Sequence, residues 1–253
     1  MRISTLTRGK RALTSALAVA FWLAAWWVLS AIVGHEVLLV SPIRAVSALI
    51  RLMSTTDFYR AVLNSFGKIL LGFALAAALG VALASLSFAF APARVLFAPL
   101  MHAAKATPVA SIVVLTLIYV SARNLSVFIS FLMVLPVIYV NVLNGLQSAD
   151  RKLLEMAKVF RLSKFRRARA IYAPAAYPYF LSACELSLGI SWKAGIAAEV
   201  IGQPDQSVGL ALYRAKLFLR TPELFAWTLA VILLSIAFEK SALVLLRKAR
   251  GGG

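Results

Sequence analysis

The chain has 253 residues, 62% of them hydrophobic and 14% charged, with a mean hydropathy of +0.87. That is too apolar for a soluble domain and too long for a single span, so the sequence reads as an all-α polytopic membrane protein. A formal net charge of +18 would suit nucleic acid in a soluble protein, but here most Lys and Arg flank apolar runs, where they fix orientation, and no nucleic-acid partner is expected.

In chain order, the first apolar run covers 12–33 and follows Arg8, Lys10 and Arg11. It exceeds the ~7–15 residues of a signal-peptide core and carries bulky Trp22, Trp26 and Trp27, so it reads as an uncleaved first helix. Further runs cover about 61–89, 96–120, 124–146, 175–200 and 223–246, each long enough for a hydrocarbon core of ~30 Å. Six spans put both termini on one side. The amino-terminal tail (1–11) carries Arg2, Arg8, Lys10 and Arg11, and the carboxy-terminal tail (247–253) carries Arg247, Lys248 and Arg250. Segment 147–172 holds eight basic residues against Asp150 and Glu155. All three fall on one face of the membrane region 12–246, which is therefore cytoplasmic.

The opposite face carries 34–60 and 201–222, which are mixed in charge. Val46, Leu49, Ile50 and Met53 recur at helical spacing, so 43–54 is predicted as an amphipathic surface helix started by Ser41-Pro42. Pro204 and Pro222 break the second outer segment, with Pro222 in the first turn of the last helix. Ala91, Pro92 and Arg94 supply only a short turn between spans two and three. Small residues in 74–78 and 80–84 suit close helix packing. The closing Gly251 to Gly253 read as an appendage rather than as structure. Cys184, the single cysteine, lies inside an apolar run, which excludes a disulfide framework or a thiolate metal site within one chain.

The basic block 150–174 is the most informative segment. Asp150 can cap a helix through about Phe160, and Ser163 a second one to about Tyr172, with Pro174 ending the unit before the fifth span. This predicts a cytoplasmic helix-turn-helix with an apolar side against its own bundle and a basic side outward. Such a surface also suits anionic lipid headgroups, a reading that stands beside protein docking.

Glu155-Met156-Ala157, three residues, Arg161, nine residues, then Ile171-Tyr172-Ala173-Pro174 resembles the EAA loop of permeases in binding-protein-dependent ABC importers. Glu155, Ala157, Ile171 and Pro174 match that pattern; Met156, Arg161 and Ala173 depart from it. Arg161 stands where the family has Gly. Positive φ there costs a non-glycine residue on the order of 1 kcal/mol, which points to a turn of different shape. Lys105-Ala-Thr-Pro108-Val-Ala-Ser, the Pro136-containing fourth span and Trp192-Lys193-Ala-Gly-Ile-Ala-Ala-Glu199 resemble the nitrate, sulfonate and taurine subgroup.

The resemblance implies a six-span type I importer membrane domain in a bacterial inner membrane. Two permease chains would act with two ABC ATPase subunits that bind ATP and Mg, and an extracytoplasmic solute-binding protein would deliver a small anion or another small organic molecule. In that family the EAA helices fit a groove on the ATPase. Glu155 would then supply a polar contact, and Met156, Ala157 and Phe160 the apolar filling. The chain has no G-x-x-x-x-G-K-[ST] phosphate loop of its own, so no cofactor is expected in it.

Ionisable groups inside spans mark a candidate pathway, because each costs roughly 2.5–3.5 kcal/mol at the bilayer centre unless it faces protein or water. Glu185, Trp192 and Glu199 are spaced by seven and share a helix face with Gly189 and Ile196; Lys193 lies beside it. Structural pairing and substrate contact both fit these residues. Asn141 and Asn144 suit interhelical hydrogen bonds, and His102, Lys105 and Thr107 raise the same alternatives. Pro108 and Pro136 are expected to bend their helices. His35-Glu36 lacks the second His of a zinc-protease helix, and no catalytic set of serine, histidine and acid is present, so no enzyme is expected. The alternatives to an ATP-driven importer are an ion-coupled secondary transporter using Glu185 and Lys193, and a membrane scaffold or insertase with a basic binding loop.

Overall fold

Helices account for all regular structure in the computed structural model, which describes the backbone of residues 8–251 and the side chains of 13–241. Residues 1–7 of the expected amino-terminal tail lie outside that range, as do Gly252 and Gly253; Gly251 ends the last helix. In order, the helices are α1 (Arg8–Val33), α2 (Pro42–Met53), α3 (Thr56–Ala89), α4 (Ala91–Ala106), α5 (Val109–Thr116), α6 (Ala122–Gln147), α7 (Arg151–Val159), α8 (Lys164–Arg167), a π-helical turn (Ala168–Tyr172), α9 (Ala173–Gly202), α10 (Val208–Leu217) and α11 (Thr221–Gly251). The chain divides into two compact units, Met1–Phe58 with Leu212–Val231, and Tyr59–Ala211 with Ile232–Gly253.

In the first unit the Trp26 indole N–H donates to the Val40 carbonyl at 2.9 Å and its ring stacks on Phe225. Thr221 donates its hydroxyl to the Val37 carbonyl, and Phe58 packs on Trp227. Helix α2 begins at Pro42 after an extended Ser41, as expected. Its buried side chains are Ala45, Ala48 and Leu49, whereas Val46, Ile50 and Met53 stay open. The helical spacing was right, but the smaller residues face inward because they allow close approach.

The second unit is organised around α6 and α9, packed along their length, with α4 and α5 against them. The α3 helix approaches α6 closely at Gly72, where a Cβ would fall 2.3 Å from the Val127 carbonyl oxygen. At the centre, Trp192, Phe66 and Phe238 meet with ring centroids 5.0–6.3 Å apart. Cys184 is buried in an apolar core cluster with Met101, Tyr139 and Leu143.

The third apolar run is not one straight span. It is the pair α4 and α5, bent by 103° at Thr107 and Pro108. Proline lacks the N–H of an α-turn and drives its predecessor out of the helical region, and Thr107 is indeed extended (φ −77°, ψ 130°). Pro136, by contrast, lies inside the uninterrupted α6. Among the described residues four helices are long and apolar enough to cross a membrane: Leu13–Val33, Thr56–Ala89, Ala122–Gln147 and Thr221–Ser241. The bent pair counts as a fifth if it is one span. Helix α9 has 30 residues, about 45 Å at 1.5 Å each, but is diluted by Glu185, Lys193 and Glu199. Segment 201–222 holds a helix, α10, that the proline pattern did not suggest.

Candidate functional site

The basic block folds through local hydrogen bonds. Asp150 accepts the Lys152 N–H at 2.8 Å and starts α7; Ser163 accepts the Arg166 N–H at 3.3 Å and starts α8. Between them, Arg161 adopts φ +50°. Its N–H donates to the Lys158 carbonyl at 3.0 Å, while the Leu162 N–H reaches back to the Ala157 carbonyl at 2.9 Å. Those two bonds are the glycine-type Schellman ending of a helix, made by an arginine. The turn therefore keeps the shape that the family's glycine permits, and the expectation of a different shape is corrected. The two backbone bonds offset a steric cost of ~1 kcal/mol.

The second helix of the hairpin also departs from expectation. Instead of stopping before Pro174, it passes through the π turn directly into α9, with the Ala173 N–H bonded to the Ala168 carbonyl, a five-residue step. Pro174 sits in the first turn of α9, where its missing N–H and its ring are tolerated by the wider π geometry. The second half of the hairpin, α8, is thus one continuous helical strut with α9, and α7 joins it through the Arg161 turn. The strut is fixed by Ile171, 7% exposed, and by an edge-to-face contact of Tyr172 with Phe88 of α3 at 4.9 Å.

Exposure sorts the residues of the EAA-like segment. Glu155, Met156, Phe160, Arg161 and Pro174 face outward, while Ala157 and Ile171 are buried against the protein itself. Ala157 therefore cannot fill a partner's groove; as the Schellman acceptor it is covered by its own bundle. Two apolar residues that the motif did not suggest take its place: Val159 and Phe165, 80% and 74% exposed beside Phe160 at 71%. The outward face is therefore an apolar tip ringed by Lys and Arg, rather than a purely basic one. Isolated large hydrophobics in a basic run, as in Lys164-Phe165-Arg166, were the available signal.

The intramembrane candidates separate in the same way. Trp192 and Glu199 are interior, Ile196 is buried and Glu185 half-buried, Lys193 is exposed, and no atom lies within 4 Å of a Cβ built on Gly189. Asn141 donates its amide to the Val137 carbonyl of its own helix, and Asn144 is exposed, so neither makes the interhelical bond expected of it. Interhelical bonding comes instead from serines, such as Ser130 donating to the Ser191 carbonyl at 3.1 Å. His102 and Lys105 line a small cavity of about 170 Å³ with Arg94 and Tyr139.

Glu199 is the knot of this region. The Ser65 hydroxyl donates to Glu199 Oε2 at 2.6 Å, the Gly209 N–H donates to the same oxygen at 3.2 Å, and the Val208 N–H donates to Ser65 Oγ at 3.0 Å. One fully buried carboxylate thereby ties α3 and α9 to the first turn of α10, whose N-terminal N–H groups favour negative charge. A Cβ on Gly209 would lie 2.3 Å from Glu199 Cβ, so the approach requires glycine. Among the described residues no three His, Cys, Asp or Glu side chains are grouped as metal ligands.

Long apolar helices thus carry an exposed hairpin whose second half runs on into α9. Residues 21–250 match the family described as "Binding-protein-dependent transport system inner membrane component", and the chain belongs to that family: it is an ABC transporter permease, with the fold of a type I importer membrane domain. It is 27% identical over 207 residues to the Bacillus subtilis protein named "Putative aliphatic sulfonates transport permease protein SsuC", covering 81% of this chain and 74% of that one. A Brucella melitensis protein named "Probable ABC transporter permease protein BMEII0107" is 23% identical over 225 residues, 88% of this chain and 90% of its own. The bicarbonate transport system permease protein CmpB of Synechococcus elongatus is 24% identical over 152 residues, 60% and 55% of the two chains.

Proposed function

We propose that this chain is the membrane subunit of an ATP-driven importer. It pairs with a second copy, receives a small anion from an extracytoplasmic binding protein, and docks an ABC ATPase on the α7–α8 hairpin. Family membership and the similarity to permeases named for sulfonates and bicarbonate support this reading. The observation that carries it is the hairpin's tip: Met156, Val159, Phe160 and Phe165 stand open to solvent among basic residues, at the turn where α7 meets the α8–α9 strut. An apolar tip framed by cations suits a protein groove.

In the mechanism ATP and Mg bind the partner ATPase, and Glu155 with the cationic ring orients it. Closure of the ATPase pair shifts the hairpin, and because the π turn leaves no break before α9, the displacement reaches the helix that bears Lys193 and Gly189. ATP thus favours one of two packings by binding it more tightly. The open face of α9 with Lys193 and Gly189 lines the pathway between the two copies, whereas Trp192 and Glu199 hold the helix in place from inside. Both termini lie in the cytoplasm of a bacterial cell, and α9 together with the α4–α5 pair completes six spans in the inner membrane.

Copurification tests the docking role. Glu155→Lys, or Val159→Asp with Phe160→Asp, should release the ATPase while the permease still inserts and remains folded. Unchanged copurification and solute-stimulated ATP hydrolysis in both variants would refute the assigned docking surface. Transport driven by an ion gradient without any ATPase would favour a secondary transporter.

A further inference from the structure

One turn beyond Glu199, a polar cavity of about 420 Å³ is walled by Asn64 and Lys68 of α3, Arg123 of α6, and Gln203, Asp205 and Gln206. Neither Lys68 nor Arg123 is held in an ion pair among the described residues. The nearby buried carboxylate, Glu199, has one oxygen already taken by Ser65 and Gly209. Arg123 also belongs to the first turn of α6, whose cap residue Ser121 makes no side-chain cap bond, so no Ser121 hydroxyl blocks the positive end of the helix dipole. The strap closing the cavity is pinned: the Asn64 amide donates to the Gln206 carbonyl at 2.9 Å, and Gln203 is locked at φ +50° with its N–H on the Glu199 carbonyl. Lys68 is half-buried within electrostatic reach of both Glu199 and Arg123.

We infer that this cavity is a receiving site for a small monoanion on the side of the membrane opposite the hairpin. The inference rests on the permease reading above. Among the residues that line the cavity, Lys68 and Arg123 stand against the single carboxylate Asp205, an excess of one positive charge at the lining that suits a monoanion, while Glu199 lies behind it, engaged by Ser65 and Gly209. The amides of Gln203 and Gln206 stand ready to hydrogen-bond its oxygens. Lys68 projects from the same helix as Ser65, one turn on, so the Glu199 knot sets where its ammonium stands. The knot is thus the support of the anion site, and Lys68 and Arg123 are its binding residues.

The test uses the permease with its ATPase, reconstituted in phosphatidylcholine vesicles and carrying Ala122→Cys in a Cys184→Ala background. Position 122 lines the cavity. The thiol is modified from the outer side by the anionic sulfonatoethyl and the cationic trimethylammonioethyl methanethiosulfonates, with 2-mercaptoethanol as the uncharged reference thiol. The anionic-to-cationic rate ratio should exceed the reference by about tenfold, the size expected of one net positive charge a few ångströms away across a hydrated cavity. Millimolar ethanesulfonate should slow the labelling. Lys68→Gln with Arg123→Gln should return the ratio to the reference and abolish protection, and Lys68→Arg with Arg123→Lys should keep both.

A ratio equal to the reference with both cations present overturns the proposal, as does protection that survives the double Gln substitution. Protection that needs phosphatidylglycerol in the bilayer and no added solute assigns the cavity to a lipid headgroup and overturns it as well. If the double Gln protein fails to fold, the ratio in the charge-conserving variant decides alone. Retention of the ATPase throughout separates failure of the cavity from failure of the permease reading.

Discussion

The hairpin and the Glu199 knot invert each other. In the hairpin, charges are solvated, large apolar side chains stand outside, and every defining hydrogen bond joins residues at most five apart. In the knot, a carboxylate is fully buried and its partners lie 134 residues back and 10 residues ahead. The first arrangement suits a surface that another protein completes; the second suits a joint that must not move while neighbouring helices do. Substitutions in the hairpin should therefore cost partner binding with little cost in folding, and substitutions in the knot should do the reverse.

The largest expected effect comes from Gly209→Val. Its side chain would have to occupy the positions of Glu199 Cβ and backbone, so a loss of ~3 kcal/mol or more is expected, seen as a lowered Tm and poor folded yield in detergent. Glu199→Leu should follow at roughly 2–3 kcal/mol, because it strands the Ser65 hydroxyl and the Gly209 N–H. Glu199→Gln, which keeps an acceptor, should recover most of that loss. If Leu and Gln behaved alike, the hydrogen bonds would not be what holds the joint.

Next in size is the hairpin tip. Val159→Asp with Phe160→Asp should weaken ATPase affinity about a hundredfold in a titration with purified ATPase while leaving Tm unchanged. A drop in Tm of several degrees would show that these side chains support the fold and would erase the contrast with the knot.

Inserting one alanine after Ala175, in α9 just past the π turn, rotates the hairpin by ~100° relative to the rest of α9. ATP hydrolysis should continue while solute uptake by reconstituted vesicles falls at least tenfold. Uptake at the normal rate would mean that the strut does not transmit the motion.

The smallest effect is Arg161→Gly, which relieves the left-handed strain and should stabilise the turn by up to ~1 kcal/mol. Slower amide exchange at Leu162 checks it.

The same contrast governs what could be read from the sequence. Asp150 and Ser163 could be placed as caps because their partners are two or three residues away, and Ser41-Pro42 likewise marked the start of α2. Ser65, Lys68 and Arg123 carried no such signal. They acquire meaning only when α3, α6 and the 203–206 strap come together. Pro108 and Pro136 looked alike in the sequence but differ in place: one falls at a break between helices, the other inside a helix whose neighbours Leu135 and Ile138 are buried. Arg161 shows the converse error, since its identity argued against a backbone geometry that two carbonyl partners nevertheless secure.

The 103° elbow at Thr107 and Pro108 carries a constraint on solvent. Where α4 stops, carbonyls of its last turn lose the donors that a continuing helix would provide; the Ala103 oxygen is shared by the Thr107 amide and hydroxyl, and Pro108 has no N–H to offer the residue behind it. Acyl chains cannot hydrate such oxygens, so the edge of the permease bearing the elbow is barred from the hydrocarbon and belongs either to a neighbouring subunit or to water.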